Sequence, residues 1–164
     1  MRFSRNGWFV MLGCFLPILI SVRTWAQSKE PLVAGGVFVS VGLDYVQGIA
    51  ETAGAYVEAP RFKFRPGVEI RREARTGVSL AGPRVSNAAS GIEVYAMALF
   101  GRGQMPNTAG TQQVSGLSSE VGIGVEKDLG RFVRWRSELS AGFFSGSSGL
   151  QTFAISTGLV LHFH

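Results

Sequence analysis

The sequence predicts an all-β chain, a closed antiparallel barrel of eight transmembrane strands that follows a cleaved N-terminal signal peptide. Three observations predict it. After the first two dozen residues there is no long helical periodicity, and short alternating segments separated by Gly, Ser, Asn and Pro take its place. In most of these segments one face is aliphatic and aromatic while the other carries small or charged residues, the dyad pattern of a strand with lipid on one side. The last stretch, Gln151 to Phe163, is 13 residues long, enough for a tilted strand to cross a bilayer.

The N-terminus comes first. Arg2 and Arg5 precede an apolar run from Trp8 to Val22, and Thr24-Trp25-Ala26 then offers a small residue at a cut before Gln27. This reads as a secretory signal peptide over residues 1–26, leaving 27–164 for the barrel domain. An uncleaved anchor fits less well, because Pro17 interrupts the run and Arg23 closes it. The single cysteine, Cys14, lies inside the run, so the mature chain is expected to have no disulfide, thiolate metal site or cysteine nucleophile. The formal charge of +5 falls to +2 when Arg2, Arg5 and Arg23 leave with the signal, since no acid leaves with them. That lacks the clustered basic excess of a nucleic-acid-binding chain.

Eight strands follow in order. The first, Val37 to Val46, sets Val37, Val39, Val41, Leu43 and Tyr45 against Ser40, Gly42 and Asp44. The second spans about Gly54 to Phe64, with Pro60 in its middle, and Arg65-Pro66-Gly67 reads as a turn. In the third, Val68 to Arg75, Glu69, Arg71 and Glu73 share a face. A short connection at Thr76-Gly77 leads to the fourth, Val78 to Ser86, and Ser86 to Gly91 is a second turn. The fifth, Ile92 to Arg102, sets Tyr95, Met97 and Leu99 against Ala96, Ala98, Phe100 and Arg102, and the longest loop follows from Gly101 to Gln113.

The sixth strand sets Val121, Ile123 and Val125 against Glu120, Gly122, Gly124 and Glu126, and Lys127 to Gly130 turns the chain. In the seventh, Val133, Trp135, Leu139, Ala141 and Phe143 oppose Arg134, Arg136, Glu138, Ser140 and Gly142. Ser145 to Gly149 is the last loop. The eighth strand puts Phe153, Ile155, Leu159, Leu161 and Phe163 on one face, with Thr157 as its one polar member. It is expected to close the barrel against the first. With both termini periplasmic, the connections at Arg65 to Gly67, Ser86 to Gly91 and Lys127 to Arg131 face inward, and the other four face outward.

Six acids, Asp44, Glu69, Glu73, Glu120, Glu126 and Glu138, fall on the non-aliphatic face together with five bases, Arg71, Arg84, Arg102, Arg134 and Arg136. On a soluble ligand-binding barrel they would be a solvated surface. In a membrane barrel they form a nearly neutral lumen network, paired across strands because an unpaired buried charge costs several kcal/mol. The signal, the terminal strand and two levels of aromatics favour the membrane. Tyr45, Phe143, Phe144 and Phe153 are expected at the outer rim, and Trp135 and Phe163 at the inner one. Gly122, Gly124, Gly142 and Gly158 leave room in the lumen for long side chains, so a porin-like shell without a wide pore is expected.

The closing Ser156, Gly158, Leu161 and Phe163 resemble the C-terminal assembly signal of outer-membrane barrels, with His164 added. Ala81-Gly82-Pro83-Arg84-Val85-Ser86, Val94 to Gly103 and Ser156-Thr157-Gly158-Leu159 together extend the likeness. On these motifs the chain resembles the small eight-stranded outer-membrane β-barrel domains of outer-membrane protein A and X type, in their acidobacterial form. The resemblance implies a monomeric outer-membrane barrel whose partners are membrane lipids and the barrel-assembly machinery.

Catalysis finds little support. His162 and His164 are the two histidines, both read as exposed at the terminal rim, and no third ligand for a metal stands nearby. Ser156 is roughly 20 Å along the strand from His162, and Ser145, Ser147 and Ser148 have no histidine in reach. Gly101-x-Gly103 lacks the lysine and helix of a phosphate loop and reads as a hairpin bend. The expectation is a non-enzymatic barrel with no cofactor, serving envelope integrity or surface interaction. A lipid-modifying barrel enzyme and a soluble periplasmic ligand-binding barrel are the alternatives.

Overall fold

The computed structural model describes residues 32–46, 48–74, 76–106, 113–146 and 150–163. The expected signal peptide, Cys14, Ser147, Ser148 and His164 lie outside them. Eight strands follow in chain order: β1 (Ala34–Asp44), β2 (Gly48–Glu58), β3 (Arg65–Glu73), β4 (Ser79–Ala89), β5 (Ile92–Pro106), β6 (Gln113–Asp128), β7 (Val133–Phe144) and β8 (Leu150–Phe163). Each pairs antiparallel with the next, and β8 returns to β1 over Gly35↔Phe163 to Asp44↔Ala154. The barrel is therefore closed, as the sequence predicts, and each strand has a paired neighbour on both sides.

The second strand runs over Gly48–Glu58 rather than about Gly54 to Phe64, pairing with β1 from Asp44↔Gly48, and two turns are placed differently from expectation. Arg65-Pro66-Gly67 is not a turn but the start of β3, with Pro66 opposite Val85 and Gly67 opposite Glu58. The reversal occurs earlier, around Pro60, where a missing N–H costs no ladder bond, and the Ala59 amide closes it onto the Pro66 carbonyl at 2.9 Å. A side chain at Gly67 would meet the Val57 carbonyl, so glycine permits this pairing. The second difference is the β5–β6 hairpin, which stays paired up to Pro106↔Gln113. Gly101 and Gly103 are thus strand residues rather than a bend; a side chain at Gly103 would collide with Val78.

The β4–β5 turn shrinks to two residues, Ser90 and Gly91, with φ of 52° and 77°. Two successive positive φ values define a type I′ hairpin, whose twist matches that of the strands it joins. On β4, Pro83 interrupts the ladder to β5 between Ala81↔Phe100 and Arg84↔Met97 without changing the register.

The aliphatic face points outward. Val39, Leu43, Ile49, Ile70, Phe100, Val121, Ile123, Leu139, Phe153, Ile155 and Leu161 are each half or more exposed, distributed over every strand but β4. Water tolerates contiguous apolar surface only in patches of a few hundred Å². An apolar belt running round a closed barrel is the surface of a transmembrane barrel.

Candidate functional site: the charged lumen

Because side chains alternate along a strand, the residues opposite the apolar belt converge inside the barrel. Arg84 of β4, 1 % exposed, lies at the centre. Its Nη1 donates to Glu69 Oε2 at 3.1 Å, and its Nη2 donates to Glu93 Oε1 at 2.9 Å and Glu126 Oε1 at 3.0 Å. The rings of Tyr56 and Tyr95 flank its guanidinium, each centroid 3.9 Å away. A guanidinium suits this place because its donors lie in a plane and its faces stack on aromatic rings.

Arg136 of β7 joins Glu69 at 2.8 Å and Glu138 at 2.5 Å, with the Phe38 ring 3.9 Å from its guanidinium. Arg71 of β3 binds Glu69 at 2.6 Å, Glu138 at 2.8 Å and Glu120 at 2.9 Å. Nearer the termini, Arg134 holds Glu93 at 2.9 Å and Asp128 at 2.6 Å, and Arg65 reaches Glu58 at 3.4 Å. Tyrosine and serine hydroxyls satisfy further carboxylate oxygens: Tyr56 donates to Glu126 at 2.6 Å, Tyr95 to Glu138 at 2.7 Å and Ser86 to Glu58 at 2.8 Å. The ion pairs link β2 through β7, whereas β1 and β8 supply Phe38 and Val160, which pack with Tyr56.

Of the residues expected in the lumen network, Glu69, Arg71, Arg84, Glu120, Glu126, Arg134, Arg136 and Glu138 are brought together. Asp44 and Glu73 face the lumen farther from the termini, lining a recess of about 70 Å³ above the network. There Asp44 accepts the Val46 amide at 2.8 Å and Glu73 accepts the Thr76 hydroxyl.

Arg102 is a correction. It points outward, because in β5 it is Glu93, Tyr95, Met97 and Leu99 that fill the lumen, while Ala96, Ala98 and Phe100 face out. The reason lies across the hairpin. Tyr95 pairs with Gly124 and Met97 with Gly122, and a side chain at Gly124 would occupy the Tyr95 ring. Bulk on β5 is accommodated by its absence on β6. The same parity puts Glu93 inside, a signal the sequence held in the spacing Glu93-x-Tyr95.

Two further expectations are overturned. His162 is not exposed but 5 % accessible within the barrel, its Nδ1 3.5 Å from the Tyr56 hydroxyl. Phe144 is not a rim aromatic: Phe143 faces out, so Phe144 faces in and packs with Leu80, Met97 and Leu99. Glu58 and Arg65 were missed because Pro60 and Pro66 blurred the strands that carry them. Thr157, the polar residue on the apolar face, accepts the Trp135 indole N–H at 2.8 Å and donates to the Arg136 carbonyl at 3.2 Å.

In the terminal strand, Ser156 and Gly158 face the lumen, and Leu161 and Phe163 the outside. The Phe163 ring lies over Gly35 on β1, 3.2 Å from where a Gly35 side chain would begin.

Chemically, the arrangement is a plug. Among the described residues no cluster of His, Cys, Asp and Glu has an arrangement that holds a metal ion. The recess is also smaller than the roughly 300 Å³ from which small-molecule pockets usually start.

No protein-family model matches the sequence, and no curated protein matches it. Solved structures do. One described as "De novo design of transmembrane beta-barrels" superposes with a TM-score of 0.54 at 18% identity, over 84% of this chain and 100% of that one. Neisserial surface protein A gives a TM-score of 0.45 at 13% identity, over 80% of this chain and 96% of that one. The first likeness shows the fold, an eight-stranded transmembrane barrel.

Proposed function

We propose that this chain is a non-enzymatic outer-membrane barrel, its termini periplasmic, that spans the membrane and presents four short outward connections for envelope integrity or surface interaction. The observation that carries the reading is the division of faces: apolar side chains surround the barrel, and a network of ion pairs fills its inside. Two levels of outward aromatics support it. Trp135, Phe132, Phe62 and Phe64 lie toward the terminal end, and Tyr45, Phe143 and Phe153 toward the other, as interfacial girdles do. An interior closed by guanidinium–carboxylate pairs favours a structural or surface role over conduction.

Fractionation of cells expressing the full chain is the test. Recovery with the outer membrane, together with a heat-modifiable gel shift, is expected; recovery as a soluble periplasmic protein overturns the proposal.

A further inference from the structure

The outward position of Arg102 sets it in a row that the lumen network does not use. Arg72 of β3 pairs with Ser79 of β4, and Ser79 pairs with Arg102 of β5. Residues paired across a sheet share a face, so both arginines project from the outer surface, about 10 Å apart across the intervening strand. Both are exposed. The Arg72 guanidinium rises toward the β3–β4 turn, 4.0 Å from where a Gly77 side chain would begin.

Among the described residues, ion pairs account for the lumen arginines but include neither of these two. Glu51, an outward carboxylate on β2, lies diagonally across from Arg72, two residues from its partner Ala53, yet forms an ion pair with neither arginine.

One position along each strand toward the membrane centre is the lumen face, and two positions along is apolar: Ile70, Ala81 and Phe100 form the next outward row. Ile70 and Phe100 are 50% and 61% exposed, with the small Ala81 between them. The surface is thus a shallow furrow floored by Ser79 and Ala81, walled by apolar side chains below and by two cations above. A charge on the lipid face costs ~2–4 kcal/mol at the midplane and little near the interface, so the arginine row marks the membrane boundary on this side.

We infer that this furrow binds a phosphate-bearing lipid of the outer leaflet, the phosphate held between Arg72 and Arg102 and an acyl chain lying along Ala81 between Ile70 and Phe100. Guanidinium groups match phosphate oxygens in geometry as well as charge. The inference rests on the outer-membrane reading, which fixes this end of the barrel as the outer one.

The test folds the mature chain into phosphatidylcholine vesicles carrying a minor fraction of phosphatidic acid, extracts it in mild detergent and reads retained lipid by native mass spectrometry. Wild type is expected to retain phosphatidic acid, with R72K/R102K retaining it less well and R72A/R102A ~10-fold less. R61A/K63A, which removes the same charge at the opposite end, is expected to match wild type. Equal retention by R72A/R102A, or an equal loss in R61A/K63A, overturns the inference. So does full displacement by millimolar inorganic phosphate, which would assign the arginines to the free ion. The heat-modifiable gel shift is read on each sample: a wild-type chain that does not insert fails the membrane reading and this inference with it, whereas an inserted barrel that keeps no lipid fails this inference alone.

Discussion

Arg84 touches Glu69, Glu93 and Glu126 directly and lies 3.9 Å from Glu58 through its Nε. Removing its charge leaves several buried carboxylates short of a partner, and breaking a buried ion pair in this way costs ~3–5 kcal/mol. Arg84→Met should lower the urea midpoint of the vesicle-embedded barrel accordingly. Arg84→Met combined with Glu126→Gln should recover part of that loss, because the second change removes a stranded carboxylate; a strictly additive double variant would show that the two groups are not coupled. Arg102 makes the contrasting case, since Arg102→Ala should leave the unfolding free energy unchanged within about 0.5 kcal/mol.

At the scale of elements, the β4–β5 hairpin and the β5–β6 interface both depend on glycine. Gly91 has a φ of 77°, where an L side chain costs ~1–2 kcal/mol. Gly91→Ala should therefore lower the unfolding midpoint, and Ser90→Asn, a residue favoured in type I′ turns, should raise it. Gly124→Ala should destabilise the barrel by forcing the Tyr95 ring aside, and Tyr95→Leu in the same chain should relieve part of that cost; if the double variant is no better than the sum of the singles, the packing described for this pair is wrong. This hairpin is also where hydrophobic alternation misleads. Tyr95, Met97 and Leu99 are the more apolar set and invite placement toward lipid, but Gly124 and Gly122, opposite the first two, leave lumen space. Which face of a strand is inside is decided by the volume its neighbour leaves, which the strand's own sequence does not contain.

For the whole molecule, the consequential contact is the β1–β8 seam, since an open edge in hydrocarbon leaves backbone groups unpaired at several kcal/mol each. Phe163 lies over Gly35 at one end of that seam. Phe163→Asp should therefore reduce the amount of assembled barrel, seen as loss of the heat-shifted band; unchanged membrane levels would count against the terminal strand as an assembly determinant. Trp135, 39% exposed on the outer surface, should be quenched by brominated acyl chains and little affected by aqueous iodide. The reverse result would place the aliphatic face out of contact with lipid.

The sequence by itself determined the class, the strand number, the antiparallel order, closure of β8 on β1 and the inward pairing of eight charged residues. The strands follow from period-2 alternation, a property local to each, and the inward face and closure from the terminal strand and the two aromatic levels. Only the tertiary structure decided that Arg102 faces out, that Glu58, Arg65 and Glu93 belong to the plug, that His162 is buried beside Tyr56 and that Pro66 begins a strand. Each depends on register: which residue of one strand stands opposite which residue of the next, and how much room its side chain leaves. Local alternation states that there are two faces, and packing between strands assigns the contents of each.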